Sequence, residues 1–243
     1  MPNNRVYRRC QTILSASEMV KRSRHTGIKR GLNRQCPTPR IQQTGDLLRR
    51  LSRGSLTMEI VTKRFLLRDF TKEDEPAFFA YHADPRYAEF CAPEEVAPSH
   101  TRELLSLFSQ WAAERPRLNY QLAIVARRKE QELIGCGGLR REAYGADRAE
   151  LGIELAPQFW GRYAYAIEVG KALIEFGFHE LGLKEIRGIS VSANVRVSRL
   201  AQRYGFVVVG TSPSSDWMGE RGWSQTEWQL TRESWESLSA MTR

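Results

Sequence analysis

A chain of 243 residues, 41% of them hydrophobic, is long enough for one large or two small domains with their own cores. Its net charge of +9 points to nucleic acid only at first sight: residues 1–57 hold 13 Lys and Arg against 2 acidic residues, and the remainder is net −2. Four scattered cysteines without C-x-x-C and four histidines without ligand spacing argue against a disulfide framework or a metal site, and no apolar run approaches the ~20 residues of a membrane span.

Residues 1–57 are rich in Arg, Ser, Gln and Asn, show no sustained hydrophobic period, and are not expected to fold alone. Three readings are open: an extension upstream of a start at Met58, a disordered basic arm touching RNA or acidic partners, and an Arg-rich transit segment. Any nucleic-acid contact would run through this leader. From Met58 onward the pattern is that of one folded domain, 58–236, followed by a short tail, 237–243.

Glu59–Phe70 reads as a first strand. Thr71, with Asp74 three residues on, resembles a capping box and opens a helix carrying Phe78, Phe79 and Tyr81, which stops at Asp84-Pro85. Phe90–Ser99, with two prolines, is a loop. Ser99 caps a second helix through Leu104, Leu105, Phe108 and Trp111. Asn119–Arg127 and Glu132–Arg140 flank a polar turn and read as a hairpin. Gly135, Gly137 and Gly138 do not make a dinucleotide fingerprint, because Arg140 stands where its last glycine belongs; they mark a bulged strand. No P-loop motif occurs.

The informative stretch is Ala149–Leu183. Leu151, Ile153 and Leu155 alternate with Glu150, Gly152 and Glu154, as in a half-buried strand that Pro157 ends. From Ala166 the period becomes helical, with Val169, Leu173 and Leu181 on one side and Glu168, Lys171, Glu175 and His179 on the other. Gly182 suits a left-handed helix terminus. A strand feeding a helix through a glycine turn leaves helical N–H groups unpartnered at the positive end of the dipole. Gly161, lacking a Cβ, lets a phosphate approach that backbone, and Arg162 can pair with it. Glu185–Val191 is the next strand, then a helix over Val195–Tyr204 ended by Gly205, then a strand pair, Phe206–Gly210 and Gln225–Leu230. The predicted fold class is α/β in the broad sense, an α+β mixed sheet flanked by helices.

This order, with LAPQFWGR before the main helix, FGFHELGL after it and Asn194…Tyr204-Gly205-Phe206 further on, resembles the GNAT superfamily of N-acetyltransferases, in its ribosomal-protein-alanine branch. The resemblance covers Glu59–Trp235 and implies a single domain with a mostly antiparallel sheet, splayed at two central parallel strands. It implies acetyl-CoA as co-substrate, its pyrophosphate on the turn at Gln158, Gly161, Arg162, Tyr163 and Ala164. Tyr163 stands where the family has a small residue and Ala164 regains it, which reads as a one-residue insertion. Leu155 would meet the pantetheine from the strand end and Asn194 from the opposite side. A serine three residues beyond the asparagine is replaced by Val197, with Ser198 adjacent. A tyrosine four residues before the Gly-Phe pair is replaced by Ala201. Ser198 is therefore the candidate proton donor, with Tyr204 behind it.

The family reaction is attack of a neutral amine on the thioester. At pH 7 a lysine amine costs roughly 4–5 kcal/mol to deprotonate and an α-amine roughly 1, so a protein or peptide α-amine needs only a weak base. Glu154 and Glu150 are the base candidates. Glu94, Glu95, Asp216 and Glu220 are placed to attract a cationic acceptor and Trp217 and Trp223 to wall it. The expected protein is a cytoplasmic monomer or homodimer acetylating a primary amine. The alternative is a non-catalytic acyl-CoA-binding or sensing domain.

Overall fold

The computed structural model describes residues 58–128, 132–141, 144–212 and 216–241; the readings of the leader, and of the last two residues of the tail, lie outside them. Eight strands form one sheet: β1 (Glu59–Val61), β2 (Phe65–Arg68), β3 (Asn119–Ala126), β4 (Leu133–Arg140), β5 (Arg148–Leu155), β6 (Glu185–Val191), β7 (Val207–Ser212) and β8 (Gln225–Thr231). Their order across the sheet is β1-β2-β3-β4-β5-β6-β8-β7, so the last strand inserts between its two predecessors. Among the described residues β5–β6 is the parallel pair and the other neighbours are antiparallel.

The expected first strand is a hairpin. Thr62 breaks it, its backbone N–H donating to the Phe65 carbonyl while its hydroxyl oxygen accepts from the Phe65 N–H. Asp74 accepts from the Thr71 N–H at 2.8 Å, as the capping pattern predicted, and also takes a two-pronged bond from Arg68. Helix α1 (Glu75–His82) follows, then a single helical turn, Pro85–Ala88, capped by Asp84. Helix α2 (Pro98–Ala113) begins with Pro98 in its first turn after Ala97, not with Ser99 as cap.

Helix α3 (Tyr163–Glu175) starts three residues earlier than its hydrophobic period indicated and runs on as a π-turn, Phe176–Glu180. Gly182, at φ 69°, then ends it in the left-handed conformation expected there. Helix α4 (Val195–Arg203) follows β6, and helix α5 (Arg232–Met241) closes the described chain. The boundary expected at 236 falls inside α5, because Thr231 caps that helix through the Ser234 N–H and buried Trp235 anchors it.

The core is sandwiched on both faces of the sheet. Leu139 and Ile186 touch α3 at Gly177, where a Cβ would lie 2.8 and 3.1 Å from their side chains. On the opposite face Cys136 and Glu154 meet Tyr81 of α1. The glycine-rich strand β4 carries the anticipated bulge: Ile124 pairs with Gly135 while Val125 pairs with Leu133, leaving Ile134 extra.

Candidate active site

Strands β5 and β6 pair over three positions only, Arg148↔Glu185 to Glu150↔Arg187, although β5 continues to Leu155 and β6 to Val191. Beyond Glu150 the sheet opens. Along the β5 side the far edge is still held by β4 as far as Gly135↔Leu155, and β6 is held by β8 throughout. The two inner edges are left facing each other. A pocket of about 230 Å³ lies beside the freed end of β5, lined by Ile153, Glu154 and Leu155 from that strand, Phe159 to Arg162 from the turn, Asn194 just before α4 and Val197 within it.

The turn into α3 is shaped as predicted. Pro157–Phe159 forms a short 3-10 turn, and Gly161 takes φ 83° with nothing within 4 Å of where a Cβ would sit. Gly161 and Arg162 line the pocket, with Arg196 and Arg199 from α4 adding positive charge at its mouth. Gln158 is exposed on the turn and Ala164 is exposed in the first turn of α3, neither among the lining residues. Tyr163 opens the helix. The carbonyl of Leu155 accepts from the Trp160 indole at 2.7 Å, and Arg196 stacks on that ring at 5.3 Å, bridging the two sides of the gap. Asn194, a lining residue of the pocket, caps α4 through its side-chain oxygen, 3.2 Å from the Val197 N–H.

The two carboxylates that alternation could not separate have different surroundings. Glu150 is buried against the Arg140 guanidinium and accepts from the Tyr144 hydroxyl, away from the pocket. Glu154 lines the pocket. Tyr81 donates to its Oε1 at 2.6 Å, Cys136 Sγ to the same oxygen at 3.0 Å, and Tyr87 to its Oε2 at 2.8 Å. A buried chain of hydrogen bonds joins the pair: Arg140 to Gln121 at 2.9 Å, Gln121 to Cys136 at 3.0 Å. Burial, then neighbouring acidic groups, raise the Tyr81 and Tyr87 phenols and the Cys136 thiol well above their usual ranges, so all three stay protonated donors. Burial lowers His82, partly opposed by Glu154.

Sequence reasoning did not single out Tyr81, His82, Tyr87 or Cys136. The signal available was three polar-tipped aromatic side chains within seven residues, which helical spacing reads as core. Other candidates are placed elsewhere. The Ser198 hydroxyl donates back to the Asn194 carbonyl at 3.3 Å and is not in the pocket lining. Tyr204 is buried, its hydroxyl bonded to the Ala166 carbonyl beneath Gly170. Glu95 is buried as well, its carboxylate holding the Ala92 N–H at 2.8 Å, so it is not at hand to attract an acceptor. Glu94 and Glu220 are exposed. Trp223 stacks on pocket residue Phe90 and meets Trp217 edge-on, with Arg221 over both indoles.

Among the described residues no helix is long and apolar enough to cross a membrane. Residues 64–207 match the family model of the acetyltransferase (GNAT) domain. The N-acetyltransferase YoaA of Bacillus subtilis is 30% identical over 148 residues, 60% of this chain and 80% of that protein. The crystal structure of a GNAT-family acetyltransferase from Bacillus anthracis superposes with a TM-score of 0.60 at 20% identity, covering 72% of this chain and 99% of the other. A Vibrio cholerae protein assigned as a ribosomal-protein-serine acetyltransferase superposes at 0.55 with 20% identity, covering 72% and 97%.

Proposed function

The chain belongs to the GNAT acetyltransferase family, and on that footing we propose that it moves the acetyl group of acetyl-CoA onto a primary amine, preferring the α-amine of a protein or peptide, by direct attack on the thioester. The observation that carries this reading is the parting of β5 from β6 after Glu150, with Glu154 on one arm and the Gly161–Arg162 turn at its end. Acetyl-CoA supplies the activated acyl group when bound.

The residues fit that co-substrate. Open space over Gly161 admits a phosphate to the backbone, and the N-terminus of α3 carries the positive end of its dipole, although the Tyr165 N–H is already bonded to the Arg162 carbonyl. Arg162 pairs with the pyrophosphate from that turn, and Gln158, Tyr163 and Ala164 shape it. Leu155, Asn194 and Val197 enclose the pantetheine, and the freed inner edges of the strands offer it backbone hydrogen bonds. An α-amine sheds its first proton to water at pH 7 for roughly 1 kcal/mol; Glu154 accepts the second as the C–N bond forms. The Vibrio protein named above is assigned as a ribosomal-protein-serine acetyltransferase, which is in keeping with a protein acceptor here. Two buried thiols outside any disulfide, Cys91 and Cys136, accord with a cytoplasmic setting.

The test is thiol release from acetyl-CoA by protein starting at Met58, against peptides with free and blocked N-termini, lysine peptides, polyamines and aminoglycosides. Amine-dependent thiol, fastest with free α-amines and lost in Gly161→Glu, is the expected result. No thiol with any acceptor would overturn the catalytic reading, and calorimetric binding without turnover would leave a binding domain. Faster reaction at lysine would overturn the α-amine preference alone.

A further inference from the structure

Acetyl transfer leaves a thiolate that needs a proton, and α4 does not supply one into the pocket. Val197 stands at the position of the family's serine, Ser198 donates to Asn194, and Tyr204 is bonded to Ala166. Among the described residues lining the pocket, Tyr87 alone carries a hydroxyl. It comes from the opposite wall, on the turn Pro85–Ala88, whose start is fixed by Asp84 accepting from the Arg86 N–H at 2.9 Å.

We propose that Tyr87 is the catalytic acid that protonates the leaving thiolate, recharged by Glu154 and oriented by His82. The proposal rests on the acetyl-transfer reading above. Tyr87 has two acceptors for one hydrogen: Glu154 Oε2 at 2.8 Å and His82 Nε2 at 3.1 Å. His82 Nδ1 lies 2.8 Å from the Phe78 carbonyl, which can only accept, so Nδ1 carries the ring hydrogen and Nε2 presents a lone pair. The ring is buried and packs against Tyr87 at 4.5 Å and Tyr81 at 4.4 Å, which fixes its orientation. His82 is thus a positioning residue: its Nε2 competes with Glu154 for the one phenol hydrogen, and its ring limits where the phenol can turn.

The protons balance. Starting from the neutral amine, the C–N bond forms and the C–S bond breaks. The nitrogen's proton passes to Glu154 Oε2, and the Tyr87 hydroxyl proton passes to the sulfur. Glu154 then returns its proton to the Tyr87 oxygen across 2.8 Å, and every side chain is as it began. The same carboxylate that serves as base thereby reloads the acid, with no net exchange with solvent during the chemical step.

A binding measurement reads this without turnover. Full-length wild type, Tyr87→Phe and His82→Gln are titrated calorimetrically with CoA and with desulfo-CoA, which lacks the sulfur, and steady-state rates are taken alongside melting curves. Wild type is expected to prefer CoA about five- to tenfold, as for one hydrogen bond, and Tyr87→Phe to bind both alike. The phenylalanine variant should lose kcat by about a hundredfold with KM for acetyl-CoA changed less than about twofold. His82→Gln should lose less, and the double variant no more than Tyr87→Phe alone, because both act through one hydroxyl. Equal affinity of wild type for the two ligands, undiminished kcat in a folded Tyr87→Phe, or additive losses would each overturn the assignment. Wild type that binds neither ligand would overturn the acetyl-transfer reading and this proposal with it.

Discussion

Arg64 Nε lies 2.6 Å from Glu168 Oε2, joining the β1–β2 turn to the second turn of α3 across more than a hundred residues of chain. The same carboxylate accepts from the Thr62 hydroxyl at 2.6 Å and the Arg64 N–H at 2.7 Å, while Arg64 Nη2 reaches the Ala164 carbonyl at 2.9 Å. The guanidinium also lies 4.9 Å over the Tyr165 ring. Burial works to raise the Glu168 carboxyl, but the Thr62 and Arg64 bonds together hold it below its ordinary value. The N-terminal hairpin is therefore a strut against the helix end on which the coenzyme phosphates are proposed to rest.

Removing that strut should act on coenzyme binding. Arg64→Ala is expected to raise KM for acetyl-CoA about five- to tenfold with kcat changed less than about twofold, measured by thiol release and checked by CoA calorimetry. Arg64→Lys should rescue only part, because an ammonium cannot span Glu168 and Ala164 as a fork does. A fall in kcat at unchanged KM would contradict the strut.

Glu154 and Glu150 should separate cleanly. Glu154→Gln removes the proposed base and should lower kcat by about 10²–10⁴-fold with peptide acceptors, while CoA binding persists. Glu150→Gln leaves the pocket lining untouched but loosens the Arg140 and Tyr144 contacts, so its effect should appear in the melting temperature. A reversed pattern in paired kinetics and melts would reassign the base.

The distinction between these two glutamates shows where sequence reading ends. Period-2 alternation placed both on one polar face of β5, and the coordinates agree. What sets them apart is non-local: Arg140 and Tyr144 reach Glu150 from β4 and the turn after it, whereas Tyr81 reaches Glu154 from α1 and Tyr87 from the helical turn that follows. The strand, glycine turn and helix around Gly161 were readable because their signals are local. The hairpin break at Thr62 was not, since Thr62-Lys63-Arg64 contains no Gly, Pro, Asn or Asp to mark a turn. Tyr87 escaped notice because an aromatic near a helix end ordinarily packs, as Tyr204 in fact does.

Stability should fall between neutral and mildly acid pH because of His82. Burial depresses its folded-state pKa below the ordinary imidazole value near 6.5. Between that value and the lower folded one the unfolded chain binds more protons, so stability rises with pH there and is lost as pH drops below about 6.5. His100, also lowered chiefly by burial, acts in the same direction. Melting temperatures over pH 7.5 to 5 should decline in wild type and decline less in His82→Gln. Identical slopes would remove His82 from the account.

Two glycines divide stability from binding. A Cβ on Gly152 would lie 2.6 Å from both terminal nitrogens of Arg140. That guanidinium is buried and committed to Gln121 and Glu150, so it cannot move without stranding them. Gly152→Ala should therefore cost about 3–5 kcal/mol of stability, as when a buried ion pair is broken, read as a lowered denaturant midpoint. Gly161 is the opposite case. Its φ of 83° strains an alanine by about 1–2 kcal/mol, yet the new methyl meets nothing within 4 Å. On the proposed placement it would meet the coenzyme phosphate, so Gly161→Ala should weaken CoA binding more than tenfold while the protein stays folded. If Gly161→Ala binds CoA as wild type does, the phosphates do not rest on that turn.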